Sequence, residues 1–394
     1  MTIGKEGVIL EYFLTEQQKT IKGLARRIAE ERVLPVRAAL DEKEEFPWDI
    51  VTDLADADMF RVFLPEEYEG LGGGCLDLCL VIEELSRVCS GVALTYAASA
   101  LGSLPLLEYG TKDQKQKYLP DIASGKKLAA FALTEATAGS DASAIKTTAQ
   151  REGEGYVLNG TKQFITNGGE AEIYTVIALT NKERGARGAS AFLVEKDTPG
   201  FSFGKKEKKM GIRASSTREL VFRNCLVPKE NMIGKEGMGF IMTMKILDRS
   251  RPGIGAQAVG LGQGALEAAV AYAQQRVQFG HPVIALPAVQ NMLADMAIQV
   301  EAARALVYTV ARTIDSGARN FTEESAMTKV FASDMAMKVT TDAVQVFGGA
   351  GYMKDYPVEK MMRDAKIMQI YEGTNEVLRT AIAIELRKRK AMRE

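Results

Sequence analysis

Near the end of the chain, the stretch QIYEGTNEV (369–377) sets one carboxylate, Glu372, between an aromatic ring and a glycine, just before a helix start at Thr374 and Asn375. A carboxylate in such a corner can serve as a base if dry surroundings lift its proton affinity above that of a free glutamate, whose pKa is ~4.3. Read from this stretch alone, an acid placed against the positive end of a helix is the simpler account. Few other side chains offer competing chemistry. His281 is the sole histidine and sits between Gly280 and Pro282 as a turn residue, so multi-histidine metal sites are excluded. A histidine-based triad would hang on that one ring. The four cysteines, Cys75, Cys79, Cys89 and Cys225, fit no zinc spacing and suit a reducing compartment. Catalysis then falls to carboxylates, hydroxyls, backbone groups or a cofactor.

Two loops offer a cradle for a cofactor. FALTEATAGSDASAIKT (131–147) runs from a strand-like start into a turn holding Thr134, Thr137, Gly139, Ser140 and Asp141. Hydroxyls and free N–H groups packed this way hold phosphate or polar cofactor atoms. QFITNGG (163–169) repeats the theme, with Phe164 two residues before Thr166. Each loop alone is an ordinary Ser/Thr-rich turn; as a pair they could flank a flat heteroaromatic ring, with Phe164 packed on its face. LDRSRPG supplies Asp248, Ser250 and Arg251, a guanidinium suited to a phosphate, a carboxylate or a plain surface ion pair. QRVQFGHP offers Arg276, Gln278 and Phe279, and VQVFGGAGY offers Gln345, Gly348, Gly349 and Gly351. Such glycines are helix C-caps or points of close backbone approach to a ligand. GIGAQAVG has dinucleotide-fingerprint spacing in Gly253, Gly255 and Ala258, but helix rather than strand precedes it, so close helix packing is the reading.

The elements that must position these residues fall into three blocks of an α+β, mainly α chain. Residues 1–127 read as an all-α domain: Thr15 and Gln18 form a capping box, and Ile21, Leu24, Ala25 and Ile28 recur at helical spacing. LDLCLVIEELSRVCSGVALTYAASALGSLPLLEYG is apolar on nearly every face and therefore buried. Residues 128–236 carry short alternating runs between turns, the pattern of a small antiparallel β domain. Residues 237–394 return to helices with short loops, a four-helix-bundle domain. Its expected helical stretches are GFIMTMKILDRSR, GIGAQAVGLGQGALEAAVAYAQQRVQF, the run from Ala285 to Gly317, and FTEESAMTKVFASDMAMKVTTDAVQVFGG.

The 394 residues carry Lys+Arg 50 against Asp+Glu 51, a net charge of -1 that gives no field for nucleic acid or membrane. No stretch approaches the ~20 apolar residues of a membrane span. The N-terminal MTIGKEGVILEYFLTEQQKT lacks a basic region followed by an apolar core and is acidic, which argues against a signal or transit peptide and for a cytoplasmic, bacterial protein. The basic C-terminal ELRKRKAMRE reads as a soluble end.

Taken in order, LPEEYEGLGG, LTEATAGSD, LNGTKQFITNGG, QRVQFG, VQVFGGAGY and RDAKIMQIYEGTNEV resemble the acyl-CoA dehydrogenase family of flavoproteins, most closely the short-chain, butyryl-CoA type. The likeness spans nearly the whole chain. It implies FAD bound between the β domain and the C-terminal bundle of a homotetramer, a dimer of dimers. It implies flavin contacts at Phe131, Leu133, Thr134, Gly139 and Ser140, with Phe164 and Thr166 on the other side and Thr374 and Glu376 nearby. Arg276, Phe279, Gln345 and Gly349 would reach the FAD of a neighbouring subunit, while Asp248 and Arg251 match CoA-contacting positions. Ser140 matches a substrate contact as well, and Tyr371 and Gly373 would border the acyl group. Leu94, Tyr96, Ala97 and Ala98 are expected to set the depth of the acyl pocket, the bulk of Tyr96 suiting a short chain.

The resemblance also answers the question raised by Glu372. It implies that Glu372 removes the α-proton of an acyl-CoA thioester while the β-carbon delivers a hydride to flavin N5, giving the trans-2-enoyl-CoA. The thioester oxygen would rest on the Glu372 N–H and a ribityl hydroxyl. Tyr371 would keep the site dry and Gly373 would give the substrate room. Relatives with a displaced base carry glutamate where this chain has Ser250, so Glu372 has no rival there. Two departures stand out: Pro287 replaces a FAD-contacting glutamine, with Gln290 nearby, and Ala93 replaces the arginine that glutaryl-CoA dehydrogenases use for a second carboxylate. The implied electron acceptor is an electron-transferring flavoprotein, with Glu195 matching a docking position. The alternatives are an oxygen-using oxidase-like relative, a non-catalytic flavin-binding partner protein on the same fold, and a helical scaffold that binds no flavin.

Overall fold

The structure, a computed structural model, describes residues 12–391. The first part of the N-terminal stretch and the last residues of the basic tail lie outside the described residues. Helices α1 (Glu16–Ile28), α2 (Arg37–Lys43), α3 (Trp48–Asp56), α4 (Cys75–Val88), α5 (Ser90–Tyr109) and α6 (Lys112–Ala123) come first. Strands β1 (Ala129–Ala132), β2 (Thr148–Glu152), β3 (Gly155–Thr166), β4 (Ile173–Leu179), β5 (Ala189–Glu195), β6 (Phe201–Lys206), β7 (Thr217–Pro228) and β8 (Met232–Ile233) follow. The chain closes with α7 (Gly239–Gln275), a hairpin of β9 (Val277–Gln278) and β10 (His281–Pro282), α8 (Pro287–Asp315), α9 (Thr322–Phe347), α10 (Val358–Met368) and α11 (Asn375–Ala391). This is the helix–sheet–helix order expected of an acyl-CoA dehydrogenase fold.

Local chemistry sets the helix ends. At α1 the Thr15 hydroxyl accepts from the Gln18 N–H at 3.2 Å and the Gln18 amide oxygen accepts from the Thr15 N–H at 3.1 Å, a complete capping box. Asp315, at the end of α8, caps α4 from a distance: its carboxylate accepts from the Cys75 and Leu76 N–H groups at 2.6 and 2.9 Å. Contrary to the expectation that no stretch approaches a membrane span, α5 is long and apolar enough by composition to cross one. Most of its side chains are buried inside the molecule, so it is the core helix against which the other blocks pack. A Cβ at Gly102 would lie 2.5 Å from Ala130 N, which shows how closely α5 backs onto β1.

The sheet is mixed rather than antiparallel. Its order is β6-β7-β3-β2-β4-β5-β8, with β1 also on β4, and β1 and β2 both run parallel to β4. β1 pairs with residues Ile173–Val176 and β2 with Leu179, so the two lie end to end along one edge of β4. The segment 133–147 is therefore a loop thrown out of what is otherwise one continuous strand path. Alternation of apolar residues shows that strands exist but not their direction.

The two helical stretches expected on either side of Pro252 form one helix, α7. Proline in a helix interior leaves the carbonyl four residues back without its N–H partner. Here that carbonyl, Asp248 O, accepts instead from the Ser325 hydroxyl of α9. At its far end α7 stops at Gln275, earlier than expected, and Val277–Gln278 enter the short hairpin with His281. The glycines of α7 do serve close packing: a Cβ at Gly260 would sit 2.1 Å from Glu83 O, and one at Gly264 would sit 2.0 Å from Arg87 O. Backbone against backbone has no flexible atom to give way. Gly264→Ala is thus expected to cost about 1–3 kcal/mol and lower the apparent unfolding temperature. Gly23→Ala, where a Cβ would meet nothing within 4 Å on exposed helix, should raise it by the equivalent of about 0.5–1 kcal/mol.

Candidate active site

Two adjoining cavities, of about 230 and 670 Å³, share a wall that includes Thr134, Ser140, Phe164, Thr166 and Glu372. The smaller is mainly apolar. Leu94, Ala97, Ala98 and Leu101 line it from a single face of α5, and Met244, Leu247, Arg251 and Ile254 line it from α7. Phe131 and Leu133, at the exit of β1, complete the side next to the sheet. The larger is bounded by residues Glu207–Ile212 and by Arg363, Lys366, Ile367 and Ile370.

The shared wall follows from two irregularities in the sheet. The first is the loop 133–147 between β1 and β2. It is pinned by Lys162, fully buried, whose ammonium donates to Leu133 O at 2.9 Å and to Glu135 Oε1 at 2.8 Å. The Glu135 carboxylate in turn accepts from the Lys146 and Thr147 N–H groups at 2.6 and 3.0 Å. Within the loop, Gly139 has open space where a Cβ would be and lines both cavities. The second is a bulge in β3, where the register against β7 shifts between Lys162 and Ile165. Phe164 sits in that bulge with φ +59°, and its ring stands 56% exposed in the cavity wall. Bulges re-aim side chains at the cost of a ladder bond. A large aromatic face held this way, with the Thr134 and Thr166 hydroxyls nearby, fits a flat heteroaromatic cofactor in the larger cavity.

Glu372 occupies the corner between α10 and α11, with φ +52°, followed by Gly373 at φ +97°. A left-handed glutamate costs ~1 kcal/mol and must be held in place. Arg251 Nε donates to Glu372 O at 3.2 Å, Lys329 Nζ donates to Gly373 O at 2.8 Å, and Asn375 N donates to Gln369 O at 3.0 Å. Gly373 lines both cavities, its backbone angle alone favours glycine, and a Cβ there would also meet Leu378 Cδ2 at 3.1 Å. Tyr371 donates its hydroxyl to the Gln257 side chain, which donates in turn to Ser90 O at 3.0 Å. The carboxylate itself accepts from the Ser250 hydroxyl at 2.6 Å. Burial pushes the Glu372 pKa up, the Ser250 hydrogen bond and the Arg251 and Lys329 charges pull it down, and burial wins. Among the described residues the Glu372 N–H has no acceptor. Glu372 is also the one carboxylate lining the smaller cavity among the described residues.

The other expected site residues divide by position. Thr374 lines the larger cavity and caps α11, its hydroxyl accepting from Val377 N at 3.3 Å. Glu376 is exposed on the first turn of α11 and lines neither cavity. Arg276, Phe279, Gln345 and Gly349 are exposed and lie outside both cavity walls, Phe279 by as much as 87%. Pro287 opens α8, where a missing N–H costs nothing. Asp248 also stays out of the cavities, accepting from Arg251 Nη1 at 2.5 Å and from Thr322 Oγ1 at 2.6 Å. Tyr96 needs correction: it does not line the small cavity. It lies on the far side of α5 from the 94/97/98/101 face, packed on Phe60 and Phe63, with its hydroxyl donating to Met59 O at 2.8 Å. Leu101, Met244 and Ile254 escaped the sequence reading, although residues 244, 247, 251 and 254 follow the helical spacing that runs through Arg251. Lys329 and Gln257 left no signal short of the fold.

Known proteins resemble the chain along almost its whole length. The chain matches the family descriptions "Acyl-CoA dehydrogenase, N-terminal domain" over residues 15–126, "middle domain" over 130–225 and "C-terminal domain" over 237–386. It is 48% identical over 376 residues to the short-chain specific acyl-CoA dehydrogenase of Clostridium acetobutylicum, covering 95% of this chain and 99% of that one. The structure of butyryl-CoA dehydrogenase from Megasphaera elsdenii superposes with a TM-score of 0.93 at 46% identity, covering 95% of this chain and 98% of that one. A chain in the structure of the electron transferring flavoprotein of Acidaminococcus fermentans, a study of flavin-based electron bifurcation, gives 0.93 at 48% identity, covering 96% and 99%. With all three regions of the fold matched and nearly half of its residues shared over almost its full length, the chain belongs to the acyl-CoA dehydrogenase family.

Proposed function

We propose that this FAD-dependent enzyme removes the α-proton and β-hydride of a short-chain acyl-CoA thioester to give the trans-2-enoyl-CoA, with Glu372 as the base. The observation that carries this reading is the place of the Glu372 carboxylate on the wall between a small apolar cavity and a larger one. The acyl chain lies in the small cavity, between the Ala97–Ala98 face of α5 and the Leu247–Ile254 face of α7. Bound FAD supplies the two-electron acceptor for the β-hydride. Phe131, Leu133, Thr134, Gly139 and Ser140 would hold it together with Phe164 and Thr166, with Thr374 at the edge of the site and Glu376 just outside the cavity walls. The α-proton passes to a Glu372 oxygen as the Cα–Cβ double bond forms. The Glu372 N–H, which has no acceptor among the described residues, steadies the thioester oxygen as charge builds on it. Arg251 and Ser140 contribute to holding the substrate.

Arg276, Phe279, Gln345 and Gly349 reach the FAD of a neighbouring copy in a homotetramer, which accounts for a phenylalanine left in water on one chain. The electron acceptor is an electron-transferring flavoprotein, a reading supported by the similar chain in the Acidaminococcus fermentans structure.

Under anaerobic conditions the yellow holoenzyme should bleach on addition of butyryl-CoA. Glu372→Gln should keep the yellow FAD but bleach at least about 10³-fold more slowly; a substitution that leaves the rate unchanged excludes Glu372 as the base. Because burial raises its pKa, the fraction of Glu372 able to accept a proton climbs with pH through a midpoint above that of an ordinary glutamate. Ser250→Ala removes a hydrogen bond that favours the charged form, so the acid limb of the bleaching rate should move to higher pH. Stopped-flow rates across pH measure that shift.

A further inference from the structure

We propose that Lys329 is a positioning residue for the reaction: its ammonium fixes the left-handed corner at Glu372–Gly373 and supplies the counter-charge for the Glu372 carboxylate. The inference rests on Glu372 being the base.

Lys329 lies on α9, away from both cavities, and is completely buried. A buried ammonium is costly unless its donors are satisfied. It donates to Gly373 O at 2.8 Å and to Asn375 Oδ1 at 2.9 Å, one acceptor immediately after the base and the other at the start of α11. Asn375, buried, is itself cross-braced: its amide donates to Ser333 Oγ at 2.9 Å and to Asp334 Oδ1 at 2.8 Å. The lysine thus holds the carbonyl next to the one that Arg251 holds, Glu372 O. Between them, α7 and α9 clamp two consecutive residues at positive φ.

The charges around this point explain why a lysine is used rather than a neutral donor. Glu372 faces the Ser250 hydroxyl and Arg251 from α7, Lys329 from α9, and Tyr371 on its own segment. Lys329 in turn faces Glu372 first among charges, then Arg251, Asp334 and Glu376. Burial lowers the Lys329 pKa to about 8, and the Glu372 carboxylate opposes that fall. The same attraction, seen from the carboxylate, pulls its pKa back down against the rise that burial causes. Arg251 exerts the larger of the two attractions on Glu372 while also pairing with Asp248, and Lys329 adds to it from α9.

The test is a pH titration of Glu372 in the FAD-loaded protein, read from its carboxyl stretch as the infrared difference between each form and its Glu372→Gln counterpart. Lys329→Met removes both the clamp and the charge. Lys329→Gln keeps an N–H donor for Gly373 O and removes only the charge, and it decides the matter if the methionine variant fails to fold or to retain FAD. Both variants are expected to shift the Glu372 midpoint to higher pH, with the acid limb of bleaching moving in parallel. A residue that merely filled space would leave the midpoint where it was. An unmoved midpoint in folded, yellow Lys329→Gln overturns the proposal. If no acyl-CoA bleaches the wild-type protein, the catalytic reading fails separately, and the infrared midpoint still decides whether Lys329 acts on the charge of Glu372.

Discussion

A glutamate with φ +52° followed by a glycine with φ +97° is a conformation that the chain does not adopt unaided, and the site depends on its being held. The corner receives a guanidinium from α7 on one carbonyl and an ammonium from α9 on the next. Tyr371 is moored through Gln257 to Ser90 at the start of α5, and the carboxylate is aimed by Ser250. Ser250, Arg251 and Gln257 come from α7, Lys329 from α9 and Ser90 from α5. The corner is a point where the helical bundle and the N-terminal helices meet, and its strain is offset by groups that also bring the Glu372 carboxylate to the cavity wall. Strain of this kind persists only where the surroundings over-determine it.

The rest of the architecture keeps those parts in register. The α7 helix carries Ser250, Arg251 and Gln257 on one continuous rod, so the rod must not break at Pro252. Ser325 of α9 satisfies the carbonyl that proline leaves open, and Thr322 of the same helix holds Asp248 behind Arg251. Gly260 and Gly264 let α4 pack directly on the α7 backbone. The sheet adds its two irregularities, the loop between β1 and β2 and the bulge at Phe164, on the side facing this corner. Regular strands would have left a flat wall.

Much of this was legible in the sequence where local chemistry decides the outcome. The Thr15–Gln18 capping box, the all-round apolar stretch that became α4 and α5, and the helical rather than dinucleotide-binding use of the α7 glycines follow from spacing and neighbours. What escaped depends on partners distant in the chain. Whether α7 crosses Pro252 depends on Ser325; the parallel pairing of β1 and β2 depends on β4; the direction of Tyr96 depends on which face of α5 meets Met59. Lys329 is the clearest case. An isolated lysine in an amphipathic helix looks solvated, and only the fold shows it sealed against the residue that follows Glu372.

The central claim is that Glu372 takes the α-proton of a short acyl-CoA in a cavity next to bound FAD, and an isotope effect tests it most directly. Anaerobic stopped-flow bleaching of the wild-type holoenzyme would be compared for butyryl-CoA and for butyryl-CoA deuterated at the α-carbon. The account predicts that the labelled substrate bleaches the flavin several-fold more slowly, because breaking the α C–H bond belongs to the step that is observed. Bleaching at equal rates for both substrates would contradict it, since proton removal at the α-carbon would then play no part in the step that reduces the flavin.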